Sequence, residues 1–436
     1  MVRTLVQETS QKITKKVILK GWVSNRRDHG KIIFIDLRDR TGIVQLVCNN
    51  KAGSLKPGYV VEIEGIVSKR PKKMVNPDLE TGKLEIQVEE IKILARAEEL
   101  PFDMGGPELK VELPTLLDYR SLTLRHPKVL AVFKIQEIIL QIFRSFLKGK
   151  GFTEISVPTI VATATEGGSE VFPIEYFDKK AYLAQSPQFY KQIMVGVFDR
   201  VFTVNKTLRA EPSVTTRHLA EVTTLDAEFG FIDSWTELIE MVEYVTKYVF
   251  SEIEKRNPDV LGLYHATLPK IVSPSPRLKL RDAQEIIFKR TGRDNRTDPD
   301  LQPEDEREIC KWAREEKQSD LIFITHYPVK KRPFYTFEDP EDLGYTLSFD
   351  LLGRGMEWLT GGQRIHVLDE LVRRAKERHM NIEKSELYLQ AFRYGMPPEG
   401  GFSFGSERIV MSILGLGNIR EASLFPRDME RVDIKL

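Results

Sequence analysis

Cysteine is scarce, long apolar runs are missing, and no glycine-rich phosphate loop is present. Among the 436 residues only Cys48 and Cys310 are cysteines, far apart in the chain. That excludes a disulfide framework and a zinc site built of cysteines alone, and it fits a reducing, cytoplasmic setting. No apolar run is long enough to span a bilayer, so no membrane role is expected. The first residues, MVRTLVQETSQKITKK, carry basic groups without the apolar core of a secretory signal. GxxxxGK[ST] is absent, and so is a GxGxxG following a strand. A nucleotide enzyme built on this chain must therefore grip phosphates with arginines and a carboxylate-held Mg²⁺. The seven histidines are scattered, none at metal-ligand spacing.

What is present is a globular composition, 41% hydrophobic and 30% charged, on a chain too long for one ordinary core. Net charge is only +1, but basic residues cluster near the start: Arg3, Lys12, Lys15, Lys16, Lys20, Arg26, Arg27 and Lys31, then Lys69, Arg70, Lys72 and Lys73. Such clusters attract phosphate backbones through counterion release; a solvated surface is the other reading.

The first hundred residues read as strands: VILKGWV, KIIFIDLRD, GIVQLVC, YVVEIEGIV and KLEIQVEEIKIL, separated by Gly, Pro and charged turns. Five strands in that order predict an OB-fold barrel over 1–100. PFDMGG opens a hinge over 101–128. From Pro127, the spacing of Val132, Ile135, Ile139, Ile142 and Phe146 predicts a helix, ended by Gly149 and Gly151. Further strands are expected at FTEISVP, AYLAQ, RVFTVN, TTLDAEFGFI, LIFITHYP, FYTF and YTLSFDLL. Helices are expected at 235–255 and from Leu368 to Gln390, and GFSFGSERIVMSILGL reads as strand, then helix. Strands and helices do not alternate as βαβ units. The expected class is α+β, with an antiparallel sheet flanked by helices over 129–436.

Chemistry concentrates in KTLRAEPSVTTRHLAEVTTLDAEFGF, residues 206–231. Arg209, Glu211, Arg217 and His218 read as lying on two strand-like arms of a hairpin, whose facing arginines could meet one phosphate chain. In GFSFGSERIV, Gly405 and Arg408 fall where a strand becomes a helix, and small residues there let a flat ring approach. Asp350 and Glu357 are seven apart, and Gly353 and Gly355 can break the register that would otherwise put them on opposite faces. Taken alone they read better as an exposed acid pair than as a metal site.

In this order the segments resemble the class II aminoacyl-tRNA synthetases, subclass IIb, and within them the compact archaeal-type aspartyl-tRNA synthetases. GFTEISVP looks like motif 1, RAE-x-x-x-TTRHL-x-E like motif 2, and GSER with its following helix like motif 3. The match runs from about residue 17 to Asp428. The resemblance implies an OB-fold reading the anticodon, a catalytic domain that joins L-aspartate to ATP, with Mg²⁺, and loads it on tRNA-Asp, and a homodimer built through motif 1. Arg209, Glu357 and Arg408 would be catalytic. Arg209, Ala210, Glu211, Arg217, His218, Leu219, Glu357, Gly405, Ser406, Glu407 and Arg408 would bind ATP. Glu166, Ser186, Gln188, Lys191, Arg209, Asp226, Thr360 and Arg364 would bind aspartate. Glu357, Thr360 and Asp350 would hold the metal, and Arg26, Arg27, Phe34, Gln45 and Glu85 the anticodon.

The physics of selection stands beside the resemblance. Aspartate and asparagine are nearly isosteric, so two fixed cations, Lys191 and Arg364, favour the acid. Two bland alternatives are that Lys191 pairs with an acid such as Glu175 and that Phe34 is a core residue. Departures from the family pattern are Pro212, Ser213 and Val214 after Arg-Ala-Glu, Trp358 and Leu359 between Glu357 and Thr360, and Glu399 where His often stands. The first bears on handling of the tRNA acceptor end and the second on the metal site; whether tRNA-Asn is also a substrate is left open and falls to barrel residues near Ser24 and in the loop 69–82. An asparaginyl-tRNA synthetase and a non-catalytic tRNA-binding paralogue are the rival readings.

Overall fold

A computed structural model of the chain describes residues 2–48, 52–77, 79–162, 171–212, 215–380 and 385–432. The chain divides into two units, Met1–His126 and Pro127–Leu436.

In the first unit, β1 (Lys16–Asp28), β2 (Ile33–Asp39), β3 (Gly42–Cys48), β4 (Val60–Lys69) and β5 (Leu84–Ala95) close a barrel in the order β1-β2-β3-β5-β4. Period-two alternation drives it. Along β2, Ile33, Ile35 and Leu37 point inward to meet Leu19, Leu46, Ile63 and Ile86, while Phe34, Asp36 and Arg38 point outward. Phe34 is therefore an outer-face residue of the barrel. Two short helices, α1 (Leu113–Asp118) and α2 (Arg120–Thr123), follow within the same unit.

The second unit carries the strands β6 (Thr153–Glu154), β7 (Ile160–Val161), β8 (Pro173–Tyr176), β9 (Lys179–Leu183), β10 (Arg200–Leu208), β11 (Glu221–Gly230), β12 (Arg277–Lys279), β13 (Leu321–Thr325), β14 (Ser348–Gly353), β15 (Met356–Gln363) and β16 (Glu399–Gly405). Its helices are α3 (Pro127–Gly149), α4 (Gln188–Phe198), α5 (Thr236–Arg256), α6 (Pro258–Leu263), α7 (Leu280–Thr291), α8 (Pro303–Lys317), α9 (Leu368–Glu377), α10 (Glu386–Arg393) and α11 (Ser406–Leu414). The main sheet runs β12-β13-β14-β15-β16-β11-β10-β6; a small sheet, β7-β9-β8, stands apart. The six inner strands pair antiparallel, as expected, but both edges are parallel: β12 on β13 and β6 on β10. A parallel pair needs a long crossover, and α7 with α8 supplies it between β12 and β13.

The apolar stripe of α3 buries Val132, Ile135, Ile139, Ile142 and Phe143. Together with Val242, Val245 and Val249 of α5 it covers one sheet face, where Phe202, Leu225, Phe349, Phe402 and Phe404 stand. Trp358 joins this core, edge-on to Phe250 at 5.9 Å between ring centroids. That departure from the family pattern thus fills the core.

Two expected elements differ. FYTF is not a strand: Phe334 and Tyr335 form a turn in which the Thr336 N–H donates to the Pro333 carbonyl at 3.0 Å, and Thr336 keeps only an isolated bridge to Arg364. The helix expected from Leu368 to Gln390 is two helices. His379 takes a left-handed φ of 54° and the Met380 N–H returns to the Ala375 carbonyl at 3.0 Å. This is a C-terminal cap made without glycine, so no breaker was visible in the sequence.

Phe143 is fully buried, with edge contacts to Phe202 and Phe404. Phe143→Ala should destabilise the second unit by about 3–5 kcal/mol, read as a lowered denaturant midpoint in circular dichroism.

Candidate active site

The face of the sheet opposite α3 and α5 is polar. Thr224 and Asp226 on β11 alternate with Leu225 and Ala227 of the core, and Asp226 and Thr360 both lie beside Ser403 on β16. These residues line a cavity of about 220 Å³, together with residues of α4, of the 209–220 connection and of α11.

One end is a buried ion network. On α4, Gln188, Lys191 and Gln192 share the buried helix face. The Lys191 ammonium donates to Asp226 Oδ1 at 2.9 Å and lies 3.1 Å from Glu228 Oε2. Arg364 Nε donates to Glu228 Oε1 at 2.7 Å, and Gln188 Nε2 donates to the same oxygen at 3.0 Å. Side-chain exposure of Lys191, Asp226 and Glu228 is 1%, 1% and 0%. Lys191 thus pairs with Asp226 and Glu228, and not with Glu175. Burial opposes each charge, but the neighbours outweigh it. Asp226 and Glu228 hold the Lys191 ammonium above the ordinary lysine value, while Arg364 and Lys191 hold the Glu228 carboxyl below the ordinary glutamate value. Asp226 Oδ2 is buried without a hydrogen-bond partner, and Asp226 lines the cavity. Ser186 Oγ accepts the Gln188 N–H at 3.2 Å.

The other end is rich in arginine. Arg209, Glu211, Arg217 and His218 occupy the connection between β10 and β11, not the strand arms expected for them. The Arg209 N–H still meets the Ala220 carbonyl at 2.8 Å, but the Ala220 N–H turns away to the Arg427 carbonyl. Arg209 lies 4.0 Å from Glu211. Arg217 Nη1 donates to Glu306 Oε2 and its Nη2 to the Gly355 carbonyl, each at 2.9 Å. His218 Nδ1 and Thr215 Oγ1 are 2.6 Å apart; burial, then the charge of Arg408, lower the imidazole's pKa and favour its neutral form. Arg408, in the first turn of α11, donates to the Glu357 carbonyl at 3.2 Å and lies 3.6 Å from Glu357 Oε1. Leu219, Gly405 and Glu407 also line this cavity, and Glu407 accepts from the Thr223 N–H and Ser406 Oγ.

β14 and β15 form a hairpin whose turn, Arg354–Gly355, takes φ of 50° and 83°. A register shift at Leu351 and Leu352 sets Asp350 opposite Thr360, the irregularity that the odd spacing required. Glu357 and Thr360 line the cavity but Asp350 does not. Its carboxylate lies 2.8 Å from Arg332 Nη2, whose Nη1 donates to Thr360 Oγ1 at 3.1 Å. Burial, and next the Asp350 charge, push the Glu357 carboxyl up. Ala210 lines a neighbouring cavity with Arg209 and Glu211, while Ser406 accepts from Gln136 Nε2 at 3.2 Å. Glu166, Ser213 and Val214 lie outside the described residues.

On the barrel, Arg27 and Phe34 are cross-strand neighbours, as are Gln45 and Glu85. Arg27 binds both oxygens of Asp36 and reaches Gln45 Oε1 at 3.3 Å; Gln45 donates to Glu85 Oε2 at 3.3 Å. Arg26 pairs with Asp28 at 2.9 Å. Four of these five residues, Arg27, Phe34, Gln45 and Glu85, thus share one connected patch.

Comparison with known proteins decides the family. The tRNA synthetases class II (D, K and N) family matches residues 112–429, and the OB-fold nucleic acid binding domain matches 17–94. The chain belongs to the class II tRNA synthetases. It is 41% identical to the aspartate–tRNA(Asp/Asn) ligase of Aeropyrum pernix, covering 96% of this chain and 95% of that one. It is 40% identical to the aspartate–tRNA(Asp) ligase of Pyrococcus horikoshii, covering 96% of each. Its fold superposes on the asparaginyl-tRNA synthetase of Pyrococcus horikoshii complexed with asparaginyl-adenylate, with a TM-score of 0.90, 32% identity and 99% of each chain covered.

Sequence reasoning missed three charged residues of this synthetase's site. Glu228 stands two residues after Asp226, hence on the same strand face, and period-two alternation could have found it. Arg332 and Glu306 come from a loop and from α8, with no local signal. Burial, then the charge of Glu357, push the Glu306 carboxyl up to about 7. His326, Asp339 and Asp342 also cluster, but Lys279 and Arg281 already neutralise Asp342.

Glu228→Gln would remove the ion-pair partner of the buried Arg364 and one of the two partners of Lys191. The expected cost is about 3–5 kcal/mol, measured as a shift of the second unit's unfolding transition in urea.

Proposed function

We propose that this synthetase is an aspartate–tRNA ligase: it activates L-aspartate with ATP and transfers the aspartyl group to the 3′ end of tRNA-Asp. The observation that carries the reading is a buried cationic pair, Lys191 and Arg364, at one end of a cavity whose other end holds Arg209, Arg217 and Arg408. The amino-acid side chain goes to the first end. The unpartnered Asp226 Oδ2, with Ser186 and Gln188, takes the α-ammonium.

The substrate α-carboxylate oxygen then bonds to the α-phosphorus of ATP, and pyrophosphate leaves in line. Arg209 neutralises charge on the transferring phosphorus, Arg217 and Arg408 hold the outer phosphates, and Glu211 accepts from the adenine amine. No side chain acts as a nucleophile. The tRNA terminal hydroxyl next attacks the aminoacyl carbonyl and AMP leaves. Positioning supplies much of the rate.

Glu357 and Thr360 suit Mg²⁺: both offer hard oxygen atoms to the cavity, and the carboxyl raised by burial and by Asp350 is one that a cation would restore to its charged form. Bound there, Mg²⁺ would neutralise phosphate charge. Asp350, held by Arg332, stands behind them. Arg27, Phe34, Gln45 and Glu85 on the barrel take the anticodon, Phe34 by stacking, with Arg26 on phosphate. The functional unit is a homodimer acting in the cytoplasm.

A second reading, asparagine in place of aspartate, draws on one observation: Asp226 and Glu228 already compensate Lys191 and Arg364, so the cations are not free to prefer an acid.

ATP–pyrophosphate exchange separates the two, with exchange expected on aspartate and not on asparagine; the reverse result removes the first reading. Lys191→Met with Arg364→Gln should abolish the acid-over-amide preference. Phe34→Ala should raise KM for tRNA by about ten-fold, the scale of one lost base stack, and leave pyrophosphate exchange unchanged. Charging of tRNA-Asp and tRNA-Asn transcripts with labelled aspartate tests the two specificities named among the relatives.

A further inference from the structure

Glu399 begins β16 and is fully buried. Its Oε1 accepts from Gln192 Nε2 at 2.6 Å, and Gln192 Oε1 accepts from the Tyr388 hydroxyl at 2.9 Å, a polar chain linking β16, α4 and α10. Its other oxygen, Oε2, is buried without a hydrogen-bond partner, and so is Glu228 Oε2 apart from the Lys191 ion pair. In the β11–β16 ladder Glu228 stands opposite Gly401, so Glu399, two residues before Gly401, is its diagonal neighbour on the same sheet face. Gly401 leaves room for the Glu228 carboxylate, since any Cβ there would stand 2.2 Å from Glu228 Oε2.

Two neighbouring buried carboxylates, one of them with an oxygen that no donor reaches, cannot both stay ionised at low cost, and a proton on one relieves both. We propose that Glu399 is a positioning residue that carries this proton, donates it in a hydrogen bond to Glu228, and so keeps the amino-acid subsite from becoming net anionic. The groups around it are Glu228 of β11, Gln192 of α4, Arg364 beyond β15 with Tyr335 beside it, and Tyr388 of α10, with Lys191 and Asp226 on the far side of Glu228. With Glu399 neutral, Lys191 and Arg364 balance Asp226 and Glu228. With Glu399 ionised the subsite carries one excess negative charge, against which an aspartate side chain must bind and an asparagine side chain need not. Burial, then the charge of Glu228, hold the Glu399 carboxyl well above the ordinary glutamate range, which favours its neutral form.

The inference rests on the aspartate reading of this subsite, and the two fail separately. Pyrophosphate exchange at saturating ATP is measured from pH 7 to 9.5 on the full-length wild type and on Glu399→Gln, whose amide can donate to Glu228 permanently. With every constant expressed for the ammonium form of the amino acid, wild-type KM for aspartate should rise by about ten-fold or more, the scale of one unscreened charge in the subsite, while the inhibition constant of asparagine stays level. Glu399→Gln should show a flat aspartate KM. Its melting temperature should exceed that of wild type by a margin that grows as pH rises above about 4.5. In that range the folded wild type keeps a proton that its unfolded chain has lost, so its stability falls with pH. If Glu399→Gln does not fold, the wild-type aspartate-to-asparagine comparison decides alone. An equal rise in the variant, or a level aspartate KM in wild type, overturns the inference. No aspartate-dependent exchange at pH 7 overturns instead the reading on which it rests.

Discussion

A lysine and an arginine buried beside two carboxylates set the conditions for the rest of the second unit. Lys191, Arg364, Asp226 and Glu228 sit almost wholly out of water, where each charge alone would cost several kcal/mol. They persist because every one has a partner within about 3 Å. The partners come from three separate places: α4, β11 and the chain beyond β15. The network can exist only when sheet and helix are docked, so the fold's integrity and the site's charge are one constraint.

The sheet does the docking by plain alternation. Leu225, Phe402 and Phe404 point to α3 and α5, and Asp226, Ser403 and Thr360 point to the cavity. One period-two pattern therefore builds the core and the site together. The proposed grip on phosphate without a glycine-rich loop rests on the same geometry. Arginines held at fixed positions by Glu306, the Gly355 carbonyl and Glu357 present charge to the cavity without needing a helix N-terminus. Their orientation is set before any ligand arrives, which lowers the cost of binding.

Much of this was legible in the chain. The barrel strands, α3 with its stripe from Val132 to Ile142, and the strand-to-helix step at Gly405 follow from hydrophobic period and turn residues. Most of the residues assigned to aspartate and ATP do line one cavity. The errors have physical causes. His379 ends α9 in a left-handed conformation that a non-glycine residue seldom adopts, so the helix read as continuous. Arg209 to His218 read as strand arms because a hairpin's ladder and its loop share polar composition. Asp350, expected beside Glu357 and Thr360 as a metal ligand, does not line the cavity but pairs with Arg332, which nothing in the sequence announces.

By itself the sequence determined the elements and the chemical kind of the site: strand and helix periods are local, and so are the clusters of arginine and acid. Only the tertiary structure decided which charges meet. Glu228, Glu306, Arg332 and Glu399 lie far in sequence from the groups they touch. Their protonation and orientation depend on burial and on neighbours across the sheet, and neither exists until the chain has folded.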